Sequence, residues 1–84
     1  MLLLAIEVLS PSSHRIDRGR KRLLYQRRVP EYWTIDIATR SFERWRPDDA
    51  EPEVLTDRIA WQPPGTTRPL VIDIAALFAE ALDD

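Results

Sequence analysis

The chain has 84 residues, of which 44% are hydrophobic and 31% charged, and its formal net charge is −2. This composition is typical of a soluble globular protein and excludes a disordered tail. The sequence has no cysteine and one histidine, His14, so disulfides, thiolate metal sites and multi-histidine metal sites are excluded. A chain of this length predicts a single domain, residues 1–84, with a small core.

The amino-terminal segment MLLLAI is apolar, as the start of a secretory signal would be. It has no basic region, however, and Glu7 interrupts the apolar run before a cleavage motif could follow. No apolar run approaches the length of about 18 residues that a membrane span requires. We therefore expect a cytoplasmic protein that does not enter a membrane.

Residues 2–9, LLLAIEVL, form a continuous apolar run that predicts a strand buried on both faces. Ser12 and Ser13 are good helix caps, and a basic helix is expected over about residues 14–28, ended by Val29-Pro30. The β-branched and aromatic residues of EYWTIDI, 31–37, predict a second strand. Because a helix connects them, the two strands should be parallel neighbours.

The segment FERWR, residues 42–46, follows a turn and predicts an antiparallel hairpin partner for the second strand. After an acidic loop, short strands are expected at 53–56 and 58–61. A connection rich in proline then leads into a brief extended segment and a carboxyl-terminal helix over about 74–82. Apolar residues recur at helical spacing on one face of that helix: Ile74, Leu77, Phe78, Ala81 and Leu82.

Residues 14–28 carry seven basic residues and one acid, although the whole chain is weakly acidic. This local excess of positive charge indicates contact with a polyanion such as DNA. The candidate nucleic-acid-binding residues are Arg15, Arg18 and Arg22. The alternative interpretation is that these arginines only form a solvated helix face.

Two charged residues are candidates for chemistry. Glu7 lies in an otherwise apolar strand, where a carboxylate is costly unless it is paired, protonated or bound to a metal. It can be a ligand for a hard cation such as Mg²⁺, or it can form a salt bridge with an arginine of the following helix. Lys21, the only lysine, can form a helical ion pair with Asp17 or can face the sheet near Glu7.

Other polar and aromatic residues have simpler interpretations. Asp36, at the end of the second strand, is expected to begin a turn, although it could also lie close to Glu7. The serines of SPSS lack the flanking glycines of a nucleophile elbow. Trp33, Trp45 and Trp61 could stack on bases, but on the strands of a small domain we expect them to pack in the core.

The segments IEVLSPSS, DRGRK, LLY and VPEYWTID together resemble the Uma-two family, which belongs to the PD-(D/E)XK superfamily of nucleases. The resemblance runs from about Ile6 to Asp36 and continues more loosely to PLVIDIAALF. It implies an α/β fold with a restriction-endonuclease-like mixed β-sheet flanked by helices. It also implies a divalent-metal site that cuts DNA phosphodiester bonds.

By this resemblance, Glu7 looks like the acidic metal ligand of the E-x-K half-motif, and the backbone carbonyl of Val8 looks like a further ligand. Leu9 stands where the superfamily usually has lysine, and Lys21 looks like that lysine relocated to the following helix. The implied cofactor is Mg²⁺ or Mn²⁺, which would polarise the phosphate and activate a water while a cation stabilises the developing charge.

The sequence also departs from the family pattern. The superfamily's first metal-binding aspartate lies on the preceding strand, but none of the six residues before Glu7 is acidic. We therefore expect only the carboxyl-terminal part of a family domain, lacking the amino-terminal helix and first strands. The resulting unpaired sheet edge predicts a homodimer or a partner chain.

Three functions follow from these observations. The first is a Mg²⁺-dependent DNA endonuclease whose activity is impaired by the short amino terminus. The second is a non-catalytic nucleic-acid-binding module that uses only the basic helix. The third is an inactive remnant in which Glu7 and Lys21 are merely charge-paired.

Overall fold

The fold consists of two β-sheets and two helical segments in a computed structural model that describes residues 2–9 and 22–83. The first sheet contains β1 (Leu4–Leu9), β2 (Glu31–Asp36), β3 (Ser41–Trp45) and β4 (Glu53–Leu55), in the order β1-β2-β3-β4. The second sheet contains β5 (Arg58–Trp61) and β6 (Leu70–Asp73). Residues 22–26 are helical (α1), and α2 is Ile74–Leu82.

The first sheet is mixed, as the sequence predicts. β1 and β2 are parallel, whereas β2 and β3 form an antiparallel hairpin and β4 continues the antiparallel order. Asp36 begins the hairpin turn, because its carboxylate accepts hydrogen bonds from the amides of Ala38 (2.9 Å) and Thr39 (3.3 Å). Arg40 completes the turn with a φ of 52°. The turn predicted at Asp36 is therefore confirmed.

Successive side chains of each strand point to opposite sides, so the first sheet has two distinct faces. The face that we call the helix face contains Tyr32 and Trp45, which are directly opposite each other on β2 and β3. Both are buried, and they pack with Val29 and the α1 residue Tyr25. The rings of Tyr25 and Tyr32 lie 5.7 Å apart. This cluster holds α1 against the sheet.

The opposite face, which we call the core face, packs against the second sheet and α2. Trp33 and Phe42 of the first sheet form one buried cluster with Ile59 of β5 and with Ile74 and Phe78 of α2. The Phe42 and Phe78 rings meet edge to face at 6.1 Å. The burial predicted for Trp33 and Trp45 is confirmed, since they are 1% and 9% exposed, while Trp61 is half-buried.

The predicted burial of both faces of β1 is wrong. Ile6 and Val8 lie on the core face and are 51% and 58% exposed. The clusters that cover the core face of β2 and β3 do not extend over this part of β1. β1 is also an edge strand, because no described strand pairs with its outer side. One face and one edge of β1 are thus accessible in the structure.

The helices agree with the predicted positions, with differences at their ends. The described helical residues of α1 end at Gln26, two residues before the predicted end, and a turn follows in which the amides of Arg28 and Val29 donate to the Tyr25 carbonyl. The part of the predicted basic helix before residue 22 lies outside the described residues. α2 begins as expected and is capped by the Asp73 carboxylate, which accepts from the Ala76 amide at 3.0 Å.

The apolar face predicted for α2 is only partly buried. Ile74 and Phe78 enter the core, whereas Leu77 and Leu82 are 41% and 44% exposed. Within the described residues, neither helical segment has the length and apolar character that a membrane crossing requires.

Candidate functional site

Glu7 lies in the middle of β1, on the helix face of the first sheet, and is half-buried. It is directly opposite Thr34 of β2, and Thr34 is directly opposite Glu43 of β3. Residues opposite each other on neighbouring strands project from the same face. The strand register therefore forms a polar row of Glu7, Thr34 and Glu43 on the helix face.

Thr34 lies between the two carboxylates and contacts one of them directly. Its hydroxyl donates to Oε1 of Glu43 at 3.1 Å. Neighbouring strands are about 4.8 Å apart, so the Cα atoms of Glu7 and Glu43 are roughly 10 Å apart. Sequence reasoning missed Glu43; the signal available for it was the hairpin register, which carries the row from Glu7 through Thr34.

The pKa of Tyr32 reflects the burial and the negative charge of this face. Burial is the main reason that the pKa of Tyr32 rises to about 12, and the negative charge of Glu7 is the next largest cause. Tyr25 and Glu43 raise the Tyr32 pKa further, while the Arg22 guanidinium lowers it. Tyr32 is thus a neutral phenol at physiological pH, in the field of both carboxylates.

The carbonyl of Val8 is directed toward the open edge of β1. The neighbouring carbonyl, that of Leu9, accepts a hydrogen bond from the amide of Ile37 at 3.5 Å and so faces the β2 side. Successive carbonyls of a strand point to opposite sides. The Val8 carbonyl consequently points away from β2, where no described strand competes for it.

The oxygen atoms at this edge are of the kind that binds a hard cation. Glu7 and Val8 can offer a carboxylate and a carbonyl oxygen, which are the ligands that Mg²⁺ prefers. The described residues contain no group of three or more histidine, aspartate or glutamate side chains that could hold a metal ion. Mg²⁺ commonly uses one or two carboxylates and completes its shell with waters and substrate oxygens. Glu7 and Val8 therefore fit as a partial ligand set.

Gln26 fastens α1 to the loop that follows β3. Its side-chain amide donates to the carbonyls of Arg46 (2.8 Å) and Asp49 (2.6 Å), and it is only 4% exposed. Arg22, four residues earlier, donates to the Gln26 side-chain oxygen at 2.9 Å. The Arg22 guanidinium carbon also lies 4.6 Å from the centre of the Trp45 ring. These contacts fix α1 above the helix face.

The structure places only some of the predicted site residues. Glu7 and Val8 share β1, and Arg22 lies on α1 with its guanidinium engaged by Gln26 and Trp45. Lys21, Arg15 and Arg18 lie outside the described residues, so their predicted roles stay predictions.

Comparison with known proteins identifies the family. The model of the Uma2 family, described as "Putative restriction endonuclease", matches residues 1–75. This chain belongs to the Uma2 family. The resemblance found in the sequence is thereby confirmed. No match was found among curated proteins.

The mixed α/β fold is also confirmed by a solved structure. A crystal structure from Anabaena variabilis, described as "a putative nuclease belonging to DUF820", matches with a TM-score of 0.62 and 25% sequence identity. The match covers 94% of this Uma2 chain and 46% of that chain. This Uma2 chain thus spans less than half the length of that relative.

The raised pKa of Tyr32 predicts how stability depends on alkaline pH. Between pH 10, the ordinary pKa, and about 12, the unfolded chain loses the Tyr32 proton while the folded chain keeps it. The free energy of unfolding should therefore fall as pH rises through this window. Tyr32→Phe should flatten that fall in denaturant titrations, whereas Tyr25→Phe, which retains Tyr32 and removes only a smaller cause of its raised pKa, should flatten it less. Parallel pH profiles for the parent and Tyr32→Phe would contradict the assignment.

Proposed function

We propose that this chain carries part of the active site of a divalent-metal-dependent nuclease that hydrolyses phosphodiester bonds of DNA. The observation that supports this most directly is the arrangement on β1. The half-buried Glu7 and the outward carbonyl of Val8 are adjacent in a chain that belongs to the Uma2 family. Two hard oxygen ligands at an open strand edge suit Mg²⁺ or Mn²⁺.

Each residue then has a distinct part. Glu7 and the Val8 carbonyl would hold the metal, which when bound polarises the phosphate and makes water a better nucleophile. Lys21 would stabilise the negative charge that develops on the phosphate oxygens. Arg15, Arg18 and Arg22 would contact the DNA backbone and position the strand. The Gln26 contacts support this arrangement by holding α1 on the same face of the first sheet as Glu7.

Glu43 allows the position of the metal to be tested. It shares a face and a row with Glu7, but it lies on the far side of Thr34 from the open edge. Glu7 and the Val8 carbonyl would hold an ion at that edge, and Glu43, beyond Thr34, would not be among its ligands. An ion held above Thr34 would instead use both carboxylates and leave the Val8 carbonyl out.

Cleavage of plasmid DNA with Mg²⁺ or Mn²⁺ tests the proposal. Glu7→Gln should lower the rate by about 100-fold, since it removes a metal-binding charge without changing side-chain size. Lys21→Met should lower it comparably. Glu43→Gln is the matched variant in the same row and should change the rate by less than about threefold, as should Glu80→Gln on α2.

The possible results separate the functions. A loss in Glu43→Gln as large as that in Glu7→Gln would move the ion above Thr34 and contradict the Val8 assignment. Cleavage that survives Glu7→Gln would exclude the proposed metal ligand. If the parent binds DNA with steep salt dependence but does not cut it under any metal condition, the chain is a nucleic-acid-binding module. This second function is favoured by the absence of a three-carboxylate group among the described residues.

We further propose that the open edge of β1 at residues 4–6 pairs with a strand of a second copy of this chain, so that the Val8 carbonyl stays available to the metal. Among the described strands β1 is an edge, and its core-face residues Ile6 and Val8 are each more than half exposed. Apolar edge strands of this kind readily accept another strand. A second copy would also bring another carboxylate toward the edge where the Val8 carbonyl points.

Sedimentation at micromolar concentration tests this pairing. The parent chain should sediment as a dimer, and Ile6→Lys should shift it to a monomer because a charge would enter the apolar contact. Val54→Lys is the matched control, since Val54 lies on β4 at the other end of the sheet and is similarly exposed, 61% against 51% for Ile6. A monomeric parent, or a dimer that only Val54→Lys disrupts, would contradict pairing through β1.

A further inference from the structure

A cleft lies on the core side of the first sheet, away from the polar row of Glu7. Its volume is about 320 Å³, and it is formed where β2 begins, where β3 ends and where β5 ends. Pockets for small ligands usually start near 300 Å³, so this cleft is sized for a small molecule or one unit of a polymer. Its lining includes both charged and flat apolar side chains, which gives it chemical selectivity.

Glu31 lies at the inner end of this cleft. One of its carboxylate oxygens accepts a hydrogen bond within the protein, and the other can accept one from a ligand. Its Oε2 accepts a hydrogen bond from the Trp33 indole at 2.6 Å. Its Oε1 makes no hydrogen bond to a described residue and lies 4.0 Å from Nη2 of Arg46, which is beyond hydrogen-bond distance. The Glu31 side chain is only 11% exposed. One accessible oxygen of this largely buried carboxylate thus remains able to accept from a ligand.

Arg46 supplies the donor next to that acceptor. Its guanidinium is 53% exposed and approaches Glu31 at 4.0 Å and Glu53 at 3.9 Å without a hydrogen bond to either. Its main chain is fixed on both sides, since its amide donates to Asp49 at 2.9 Å and its carbonyl accepts from Gln26. The Arg46 side chain can therefore turn toward a ligand while its backbone stays in place.

Arg44 is different, because its hydrogen bonds are made within the protein. It donates to Glu53 at 2.7 and 3.0 Å and to the carbonyl of Ala60 at 2.8 Å, and so joins β3 to β4 and β5. Arg44 is thus a fixed part of the cleft lining, whereas the Arg46 guanidinium at the cleft opening can change its orientation. The flat walls are supplied by Pro30, Trp61 and Pro64.

We propose that this cleft binds a nucleobase that carries an exocyclic amino group, with Glu31 accepting from the amino group and Arg46 donating to the adjacent ring nitrogen or carbonyl oxygen. Carboxylates accept from the amino group of cytosine, and guanidinium groups donate to the acceptors of base edges. The Trp61 ring provides an aromatic surface on which a base can stack. The site is separate from the metal-binding edge and does not require cleavage.

The pattern of donors and acceptors predicts which bases bind. Cytosine and uracil differ at two adjacent ring positions. Cytosine has an amino group and, beside it, a ring nitrogen that accepts, where uracil has a carbonyl oxygen and a protonated ring nitrogen that donates. Glu31 Oε1 is an acceptor, so it should favour cytosine and leave the uracil carbonyl facing a carboxylate. Removing a charge-assisted hydrogen bond of this kind should weaken binding by about tenfold or more.

Calorimetric titration with CMP and UMP tests the proposal, in chelator so that no divalent metal contributes. CMP should bind at least about tenfold more tightly than UMP. Glu31→Gln keeps an oxygen for the Trp33 indole and turns the other atom into a donor, so it should reverse the preference in favour of UMP. A merely structural role for Glu31 would not produce this reversal.

Two further variants complete the test. Arg46→Ala, at an exposed side chain, should weaken binding of both nucleotides with little effect on the melting temperature, while Arg58→Ala should change neither. Equal affinity of CMP and UMP, no binding at millimolar concentration, or binding insensitive to Arg46→Ala would overturn the proposal. Repeating the titrations with Glu7→Gln separates this site from the proposed nuclease site, since binding should persist when cleavage is lost.

A base can reach the cleft as a free nucleotide or as an unpaired unit of a strand. Titration with single-stranded oligo-dC, oligo-dT and the corresponding duplex distinguishes these sources. Stronger binding of oligo-dC than of CMP would assign the cleft to an unpaired base of a nucleic acid. Equal binding of the two would assign it to the free nucleotide.

Discussion

The parallel pairing of β1 with β2 is the constraint on which the rest of the structure depends. It sets Glu7 opposite Thr34 and Val8 opposite Ile35, and thereby decides which side chains of β1 face α1. A shift of one residue would move Glu7 to the core face and place Ile6 and Val8 beneath the helix. The carboxylate would then lie on the wrong side of the sheet for a helix-borne cation.

Because of this register, the two faces of one small sheet are available for different chemistry. The helix face combines the carboxylates of Glu7 and Glu43 with a neutral Tyr32, whose pKa is raised first by burial and then by these charges. The core face uses Trp33 and Phe42 to hold the second sheet and α2. A cleft remains open at the edge of the contact between the core face and the second sheet. There Glu31 and Arg46 approach each other without forming a hydrogen bond.

Local patterns in the sequence were sufficient to predict most of the fold. Apolar and β-branched runs, the proline after Val29 and the turn at Asp36 predict the strands, the parallel neighbours and the hairpin. The predicted helix over 74–82 matches Ile74–Leu82. These features depend on residues close together in the chain, where propensity and turn chemistry act directly.

The features that the sequence did not predict involve residues that only tertiary packing brings together. The exposure of Ile6 and Val8 depends on how far the second sheet extends over the first, which no local pattern encodes. Glu43 joins the row of Glu7 through two successive strand pairings. The cleft combines Glu31, Arg46 and Trp61 from three different strand ends, so its acceptor and donor become neighbours only in the folded chain.

The position of the metal is the central claim, and Mn²⁺ tests it directly through its paramagnetic effect on backbone amide resonances. Substoichiometric Mn²⁺ should broaden the amide signals of residues 7–9 and of their β2 neighbours 34–36, and should spare residues 60–62 of the cleft. Glu7→Gln should abolish this local broadening, whereas Glu43→Gln should preserve it. Broadening centred on the acidic loop at residues 48–53, or none that depends on Glu7, would contradict a metal site at the edge of β1.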